Sequence, residues 1–490
     1  MFNVGSGLSR IQLPSAIPLA GYQARKEDSR GMHDPLHARA LAIECGGSCI
    51  TILSFDILYS DALLTRILRQ AAANAAPLEP SCIMVCCSHT HSGPSCIFPE
   101  SGSCDPAIID AIAGAAADAT AQAWAKLLPC RLYLGAGEVD GVASRRSDLA
   151  GHGAVGPVGQ RISVAEFRSV AEGPSGAPRA AMRLVSLACH PTVLGPDNLL
   201  VSRDWPGFFV DACEDEMRAS GTERAFALFL NGAAADVSTR YTRRAQTFDE
   251  AARLGRLAAS GAGRVAAIAR RSRTSGVYLV SEQITLRRRQ LVTEEQALAA
   301  IAAAEAEAER LATCGADETT VKESRDRAAA WRIVLGRARN RSSSQGARGA
   351  TLGDTRGAAG AAQGDTRGVA LGAAQGDVIE AEVNLACVGD LTLLFCPGEI
   401  AYETGEDLAS AVAEGQIAAE TETTAPTVRV TRDDIWIVGY SNGHLGYLTP
   451  ESAAPDAYER VMSSVAPESI HEITQAAMRL SSKGMCMDLC

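Results

Sequence analysis

The sequence lacks an excess of positive charge. It contains 46 lysine and arginine residues against 57 aspartate and glutamate residues, a formal net charge of -11, and its isoelectric point is near 5.4. Proteins that bind the phosphate backbone of nucleic acids need a basic surface, because they displace counterions from it. The composition therefore argues against nucleic acid as a partner.

Long apolar runs are also missing. No segment stays apolar for the roughly 18 residues that a membrane-spanning helix needs, so we expect no transmembrane segment. The first residues, MFNVGSGLSRIQLPSAIPLAGY, show neither the basic start nor the continuous apolar stretch of a secretory signal. We therefore expect a cytoplasmic protein.

The fifteen cysteines do not form the pattern of a disulfide framework. Their number is odd, and many stand inside apolar segments, which favours reduced and buried thiols. The nearest approach to a metal-binding pair is formed by Cys486 and Cys490. Spacing alone does not make a metal site of them.

Apolar strands alternate with helical segments along most of the chain. The segment LAIECGGSCITILSFDIL has the pattern of a hairpin, and it is followed by an alanine-rich helical stretch and the apolar run CIMVCC. MRLVSLACH and AFALFLNG continue the pattern. Such alternation indicates an α/β fold. We predict a mixed β-sheet core flanked by helices, in a single large catalytic domain formed by residues 1–290 and 378–490.

An insertion interrupts this predicted domain. Residues 291–340 are rich in alanine, glutamate and arginine with helical periodicity, and they predict a solvent-facing helical insertion. Residues 341–377 are dominated by glycine and alanine and contain GDTRG twice. Because such a segment buries too little apolar surface to offset the entropy of ordering it, we predict a flexible loop there.

Only eight histidines occur, and two of them stand together in SHTHSGP. His89 and His91 follow the apolar run CIMVCC, and residues two apart on a strand share a face. The glycine and proline that come next force a turn, which puts the pair at the carboxyl end of a strand, where α/β sheets hold their sites. The pair suits one metal ligand and one acid/base group. Capping a turn or filling a polar pocket is the alternative.

Two further polar residues end apolar strands. His190 follows MRLVSLAC, and Glu399 follows LTLLFCPG. Each has a structural alternative, since a histidine can fill a core position and a glutamate can begin a helix. Together with His89, however, they fit a catalytic zinc site, in which three protein ligands leave one position open.

Seven short motifs resemble, in order and spacing, those of the neutral ceramidases and their bacterial relatives. The motifs are GMHDPLHARAL, SHTHSGP, ACHPTVLG, SRDWPG, ADVS, PGE and GYSNGHLGYLTP. The resemblance extends from about Gly5 to Glu459 and leaves out the helical and glycine-rich insertion. It implies a hydrolase that depends on one zinc ion (Zn2+) per chain.

The resemblance also implies roles for particular residues. The zinc ligands that it implies are His89, His190, Glu399 and Tyr447. His91 would serve as general acid/base, and Tyr458 would help to hold the oxyanion. Arg145, or Arg146 in the neighbouring register, would be the active-site arginine. Ser238 would be a nucleophile or a substrate-binding hydroxyl.

Two motifs depart from the family pattern. Ala235 and Thr239 stand near Ser238 where the family has glycine and proline, and Ser95 and Cys96 replace a glycine pair. The metal set is intact, whereas the surroundings that select the substrate differ. We therefore expect a small-molecule or lipid-like amide substrate, such as an N-acyl metabolite, in place of ceramide.

The predicted reaction is zinc-dependent hydrolysis of a linear amide bond by water, with an acyl-enzyme on Ser238 as the variant route. Acyl transfer, ester hydrolysis and a non-catalytic binding module on the same fold are alternatives. A two-metal phosphoesterase is another, for which several carboxylates would be available: Asp34, Asp56, Asp204 and Asp236.

Overall fold

The computed structural model describes residues 1–22, 24–96, 104–145, 156–157, 160–290, 292–316, 318–349, 377–422 and 431–485. Three sequence predictions fall outside the described residues. They concern Arg146, the pair Cys486 and Cys490, and residues 350–376 of the predicted loop.

The strands in these ranges are β1 (Phe2–Arg10), β2 (Gly31–Met32), β3 (His37–Cys45), β4 (Ser48–Phe55), β5 (Ile83–Cys87), β6 (Leu128–Val139), β7 (Ser144–Arg145), β8 (Gly156–Pro157), β9 (Gln160–Ser169), β10 (Ala180–Leu187), β11 (Leu200–Val201), β12 (Arg224–Asn231), β13 (Val237–Ser238), β14 (Arg270–Arg271), β15 (Val277–Arg287), β16 (Val378–Val388), β17 (Leu391–Phe395), β18 (Glu399–Ile400), β19 (Ile435–Val438) and β20 (Tyr447–Leu448).

The α-helices are α1 (Ala62–Ala75), α2 (Pro106–Trp124), α3 (Asp204–Ala219), α4 (Phe248–Ala267), α5 (Glu294–Thr313), α6 (Glu318–Gly349), α7 (Tyr402–Glu422), α8 (Tyr458–Met462) and α9 (Ser469–Met485). None of them, over the residues that can be described, is long and apolar enough to cross a membrane.

The main sheet is mixed. Its strands lie in the order β12-β10-β9-β6-β1-β3-β4-β5, with β14 added beside β6. The pairs β10–β12 and β4–β5 are parallel, whereas β1–β3 and β6–β9, for example, are antiparallel. A second sheet of four strands has the order β15-β16-β17-β19. The mixed-sheet core with flanking helices confirms the predicted fold class.

Side-chain alternation on the strands builds the two faces of the main sheet. On β3, Ala40 and Ala42 belong to a buried cluster with α1 and α2. The intervening Leu41 and Ile43 belong to a second cluster, which includes Phe395 of the four-stranded sheet. This period of two is what a strand buried on both faces requires. The two sheets therefore pack face to face.

Helices cover the outer faces of this pair of sheets. α1 and α2 pack on one part of the main sheet, and α3 and α4 pack on another. α7 and α9 cover the four-stranded sheet. Each fully buried leucine or phenylalanine side chain contributes about 1.5–3 kcal/mol by leaving water. The molecule thus has four layers, with helices outside and sheets inside.

The main sheet curls until its two edges approach each other. β5 and β12 stand at opposite ends of the strand order. Nevertheless, Ser54 Oγ on β4 donates to Phe229 O on β12 at 3.1 Å, and Asn231 Nδ2 at the end of β12 donates to Ser88 O at 3.2 Å. The carboxyl ends of β5 and β12 therefore lie together.

α5 and α6 form a helical hairpin that is inserted between β15 and β16, two neighbouring strands of the four-stranded sheet. Thr293 begins α5 with a capping box, because its side chain accepts from Gln296 N while the Gln296 side chain accepts from Thr293 N. α6 continues to Gly349, so the boundary predicted at residue 340 falls inside a helix. α6 also packs against α8, the short helix that begins at Tyr458.

Candidate metal centre

His89 lies two residues beyond the end of β5 in a left-handed backbone conformation, with a φ of 71°. Its backbone N–H donates to Ile57 O at 3.0 Å, and its ring Nδ1 donates to Leu58 O at 2.8 Å. A residue with a side chain at such a φ costs of order 1 kcal/mol or more, so its surroundings must hold it. The chain that follows β4 fixes both the backbone and the ring of His89.

His190 is held in a comparable way beyond the end of β10. Its backbone N–H donates to Val237 O at 2.9 Å, and its ring Nδ1 donates to Ala234 O at 2.6 Å. A carbonyl oxygen can only accept, so the proton of each neutral ring is on Nδ1 and the lone pair is on Nε2. The Nε2 atoms of His89 and His190 are therefore the ones that can bind a metal.

Glu399 brings a carboxylate to these two nitrogen atoms. It is the first residue of β18 and is 5% exposed. Its Oε2 lies 3.4 Å from His89 Nε2 and 3.2 Å from His190 Nε2. Burial disfavours the charged carboxylate, but attraction to the imidazole rings of His89 and His190 in their protonated form outweighs this and holds the pKa of Glu399 well below its usual range. Glu399 is therefore an anion at neutral pH.

The two separations between Glu399 and the imidazoles fit a tetrahedral metal ion. Zinc with bonds of about 2.0–2.2 Å holds its ligand atoms about 3.3–3.5 Å apart, close to the separations of 3.2 and 3.4 Å between Glu399 and the two imidazoles. Two nitrogen lone pairs and a carboxylate oxygen that face one another repel, and a cation between them removes the repulsion. The carbonyls on both Nδ1 atoms are the outer partners that metal-binding histidines usually have.

His91 adds a third imidazole beside this group. Its Nε2 lies 3.3 Å from His89 Nε2, and the three histidines offer ligand atoms within 4.8 Å of one another. Arg25 Nη1 donates to His91 O at 2.9 Å, and the ring of Tyr22 packs on the imidazole with ring centroids 4.9 Å apart. Gly21 has a φ of 95° and lies so close that a Cβ there would be 2.5 Å from the His91 ring. His91 is thus fixed from both sides.

Tyr447 stands next to Glu399 because the two residues are paired partners in the parallel strands β18 and β20. Its ring meets that of Tyr458 edge to face, with centroids 5.9 Å apart. Both tyrosines line a cavity of about 1100 Å³, which is also lined by His89, His91 and Glu399. This cavity is large enough for a drug-sized ligand.

Comparison with known proteins finds likeness at the level of the fold. No family profile matches the chain, and no curated protein sequence matches it. Among solved structures, a ceramidase complexed with C2 superposes with a TM-score of 0.68 at 17% identity, over 98% of this chain and 75% of the other. Neutral ceramidase from Pseudomonas aeruginosa gives a TM-score of 0.68 at 18% identity, over 98% of this chain and 74% of the other.

The chain has the neutral ceramidase fold. This finding confirms the resemblance inferred from the seven motifs, and at this level of identity it concerns the fold alone. In this chain two motif histidines and the glutamate of PGE lie around one point, as the two distances from Glu399 show.

Ser238 also reaches the cavity of this ceramidase fold. It ends β13 and forms an isolated β-bridge with His190, so it lies beside that metal-ligand candidate. Its Oγ accepts from Arg240 N at 3.3 Å. Ser238 is therefore close to the centre, with its hydroxyl tied to the loop that follows.

Arg145 lies one strand away from this serine, since β7 pairs with β13. Its guanidinium donates to Asp236 Oδ2 at 3.1 Å and to Glu403 Oε1 at 3.1 Å. Asp236 is fully buried and also accepts from Tyr402 N at 2.8 Å. Arg145 thus stabilises the start of α7 and the strand of Ser238, and it is not among the described residues that line the cavity.

Asn231 is a site residue that the sequence analysis missed. Its Oδ1 accepts from Cys189 N at 3.2 Å. Its Nδ2 donates to Cys189 O at 3.3 Å and to Ser88 O at 3.2 Å. Cys189 and Ser88 each precede a candidate metal ligand, so one buried amide joins both segments. The available signal was its position, because Asn231 ends the apolar strand AFALFLN as the histidines end theirs.

Tyr440 was missed as well. Its ring is fully buried and packs on His89 with centroids 4.2 Å apart, and it approaches His190 at 6.2 Å. The backbone of Tyr440 has a φ of 52°, and its carbonyl accepts from Cys87 N at 3.1 Å. The ring of Tyr440 therefore packs against the metal centre and restricts the movement of the His89 imidazole. Nothing in the motif GYS distinguished it from an ordinary core tyrosine.

Proposed function

We propose that the protein is a zinc-dependent hydrolase that cleaves a linear amide bond in an N-acyl substrate. The observation that supports this most directly is the convergence of His89 Nε2, His190 Nε2 and Glu399 Oε2 in a buried group, of which His89 and Glu399 line a ligand-sized cavity. The fold shared with ceramidases, one of which is complexed with C2, supports the same chemistry.

His89, His190 and Glu399 would hold the zinc ion, with the neighbouring phenol of Tyr447 as a fourth, weaker ligand. Bound zinc supplies a Lewis acid that polarises an amide carbonyl and lowers the pKa of water towards 7. A phenol has a reference pKa near 10, so it binds zinc only when the metal polarises it. Tyr447 can therefore give way to substrate or water.

His91 is suited to move the proton. It is half-buried at the cavity wall, and its Nε2 faces the metal-ligand candidates. As general acid/base it would carry a proton from the attacking water to the nitrogen of the leaving amine, since an amine leaves far more easily once protonated. Arg25 holds the backbone carbonyl of His91, and the ring of Tyr22 packs on its imidazole and would limit its reorientation between the two transfers.

Tyr458 would stabilise the oxyanion by donating its phenolic O–H from the cavity wall. Arg145 has two carboxylate partners, Asp236 and Glu403, and we assign it the role of a positioning residue. Its contact with Asp236 keeps the strand that carries Ser238 in place.

Direct attack by water is the preferred route over an acyl-enzyme on Ser238. A serine nucleophile needs a base within hydrogen-bond reach. In the described part of the chain, the hydroxyl oxygen of Ser238 accepts from a backbone N–H and no histidine or carboxylate is hydrogen-bonded to it. Ser238 is better suited to donate its hydroxyl hydrogen to a polar group of the substrate.

The decisive experiment combines elemental analysis of the purified protein with release of free amine from a panel of N-acyl substrates. We expect about one zinc per chain in the wild type, and loss of both zinc and amine release in His89→Ala. His471→Ala is the matched control, because His471 is exposed on α9. A wild type that holds no zinc after zinc is supplied would refute the proposal.

A further inference from the structure

The cavity at the candidate metal centre is lined by several cations, and one of them forms no ion pair among the described residues. Four arginine or lysine side chains among the described residues line it: Arg240, Arg243, Lys322 and Arg327. Arg240 and Lys322 share the carboxylate of Asp326, at 3.1 and 3.3 Å, and Arg327 pairs with Asp456 at 2.9 Å. Arg243 has no carboxylate within ion-pair distance in the described ranges.

Arg243 is attached to the segment that carries His190. Its Nη1 donates to Thr192 O, and Thr192 N donates to His190 O at 3.0 Å. Two residues of chain span at most about 7 Å, so the guanidinium stands close to the metal centre. This carbonyl is the one hydrogen-bond acceptor that the guanidinium has among the described residues, although an arginine has five N–H donors.

The surroundings of Arg243 favour a bound anion. Burial lowers the pKa of Arg243, and the phenol of Tyr22 and the more distant carboxylate of Asp204 offset this only in part. The ring of Tyr22 packs on His91. An anion that contacts Arg243 would therefore lie on the same side of the cavity as the proposed acid/base group.

We propose that Arg243 binds a carboxylate of the substrate and that the substrates are N-acyl amino acids. This inference rests on the proposed amide hydrolysis. In an N-acyl amino acid one carbon separates the carboxylate from the amide nitrogen. This short separation matches the position of Arg243, which is held next to the segment of His190 and so lies close to the metal centre. A guanidinium also fits a carboxylate in a bidentate geometry. Ceramide is neutral and offers Arg243 no charge.

The rest of the cavity suits the acyl chain. Apolar side chains form much of its wall on the side of α6 and α8: Ala329, Ile333, Ala454, Ala457 and Met462. With a volume of about 1100 Å³, the cavity has room for a straight chain of medium length in addition to an amino acid. The amine half would thus carry the charge, and the acyl half would bury its methylene groups.

The test measures binding of an analogue that cannot be hydrolysed. In the ketone analogue of N-octanoylglycine a methylene group replaces the amide nitrogen, and its primary carboxamide is the neutral counterpart. We expect calorimetric titration of the full-length, zinc-loaded protein to show at least about 10-fold tighter binding of the carboxylate, as a charge-assisted pair gives. In Arg243→Gln this ratio should fall to about twofold or less.

Two further variants make the result specific. Arg327→Gln removes a cavity arginine that Asp456 already neutralises, and it should keep the wild-type ratio. Arg243→Lys should keep part of the preference, and thermal melting of all variants verifies that they are folded. Equal binding of both analogues to the wild type, or an unchanged ratio in Arg243→Gln, would overturn the inference. Amide hydrolysis is measured separately, so tight carboxylate binding without amine release would refute the proposed reaction alone.

Discussion

His89 and His190 follow strands from opposite parts of the main sheet, and both present Nε2 to the same oxygen of Glu399. β5, which precedes His89, is the last strand of the sheet, and β10, which precedes His190, is next to the first. Because the sheet curls, the carboxyl ends of these two strands lie close together. Asn231 secures this closure through its contacts with the residues that precede each histidine.

Replacing Asn231 should therefore weaken the metal centre without removing a ligand. Asn231→Ala leaves the backbone groups of Cys189 and Ser88 without their buried partner, at a cost of about 1–3 kcal/mol in the free energy of unfolding. We expect zinc affinity to fall about 10-fold, as loss of an outer-shell partner usually causes. Zinc competition titration and urea unfolding measure the two effects. Asn74→Ala, at an exposed position on α1, should change neither.

Replacing His91 should impair proton transfer without impairing zinc binding. His91→Gln should keep about one zinc per chain, because His89, His190 and Glu399 remain. Amine release should fall at least about 100-fold, which is the typical contribution of a general acid/base. Steady-state kinetics together with elemental analysis test this. If the variant loses its zinc, His91 is a ligand and the assignment of roles is wrong.

The carboxylate of Asp326 holds α6 to the cavity through Arg240, whereas its contact with Lys322 lies within α6 itself. Asp326→Ala should loosen α6. A partly exposed ion pair contributes about 1 kcal/mol, so hydrogen exchange of α6 amides should accelerate about fivefold. Mass spectrometry of exchanged peptides measures this. Glu307→Ala is the control, since its pair with Arg310 lies within α5, and equal acceleration in both variants would contradict the tethering role.

Asp204 should make folding stability depend on pH. Burial raises its pKa from 3.8 to about 6, although the N–H groups of Leu194 and Trp205 donate to the carboxylate and Arg243 lies nearby. A raised pKa in the folded state means that Asp204 contributes stability below pH 4, and that this contribution is lost as the pH rises through 6. The full difference corresponds to about 2–3 kcal/mol.

Asp204→Asn removes this dependence. Between pH 4 and pH 7 the variant should gain about 2–3 kcal/mol in unfolding free energy relative to the wild type. Urea unfolding of both proteins after zinc removal measures the gain. Asp56, whose pKa burial also raises to about 6, is present in both proteins and cancels in the difference. A constant difference across this range would show that Asp204 has an ordinary pKa in the folded protein.

The sequence predicted the parts of the site that local patterns encode. Apolar runs before His89, His190 and Glu399 indicated strand ends. His89 and His190 do lie just beyond β5 and β10, whereas Glu399 follows β17 after a short turn and begins β18. The contact between the ends of β5 and β12 could not be predicted from local patterns. It depends on the curl of a whole sheet and on contacts between distant segments. Asn231 was missed for that reason, since its role exists only once both edges are adjacent.

Arg145 and Arg243 illustrate the same limit for charges. Both are ordinary arginines in the sequence, and what distinguishes them is the neighbours that the fold supplies. Arg145 forms ion pairs with two carboxylates, whereas Arg243 donates a hydrogen bond to a backbone carbonyl. A motif can indicate that an arginine is near a site, but pairing or its absence is decided by residues far away in the chain.

The division of the metal ligands between two sheets has a consequence for folding. His89 and His190 come from the main sheet, whereas Glu399 and Tyr447 belong to the short strands that follow the four-stranded sheet. Neither half alone carries a complete set, and contacts between such distant segments form slowly. Zinc capture should therefore be a late event in refolding. A zinc-sensitive dye would then report the moment at which the two halves dock, after most secondary structure has formed.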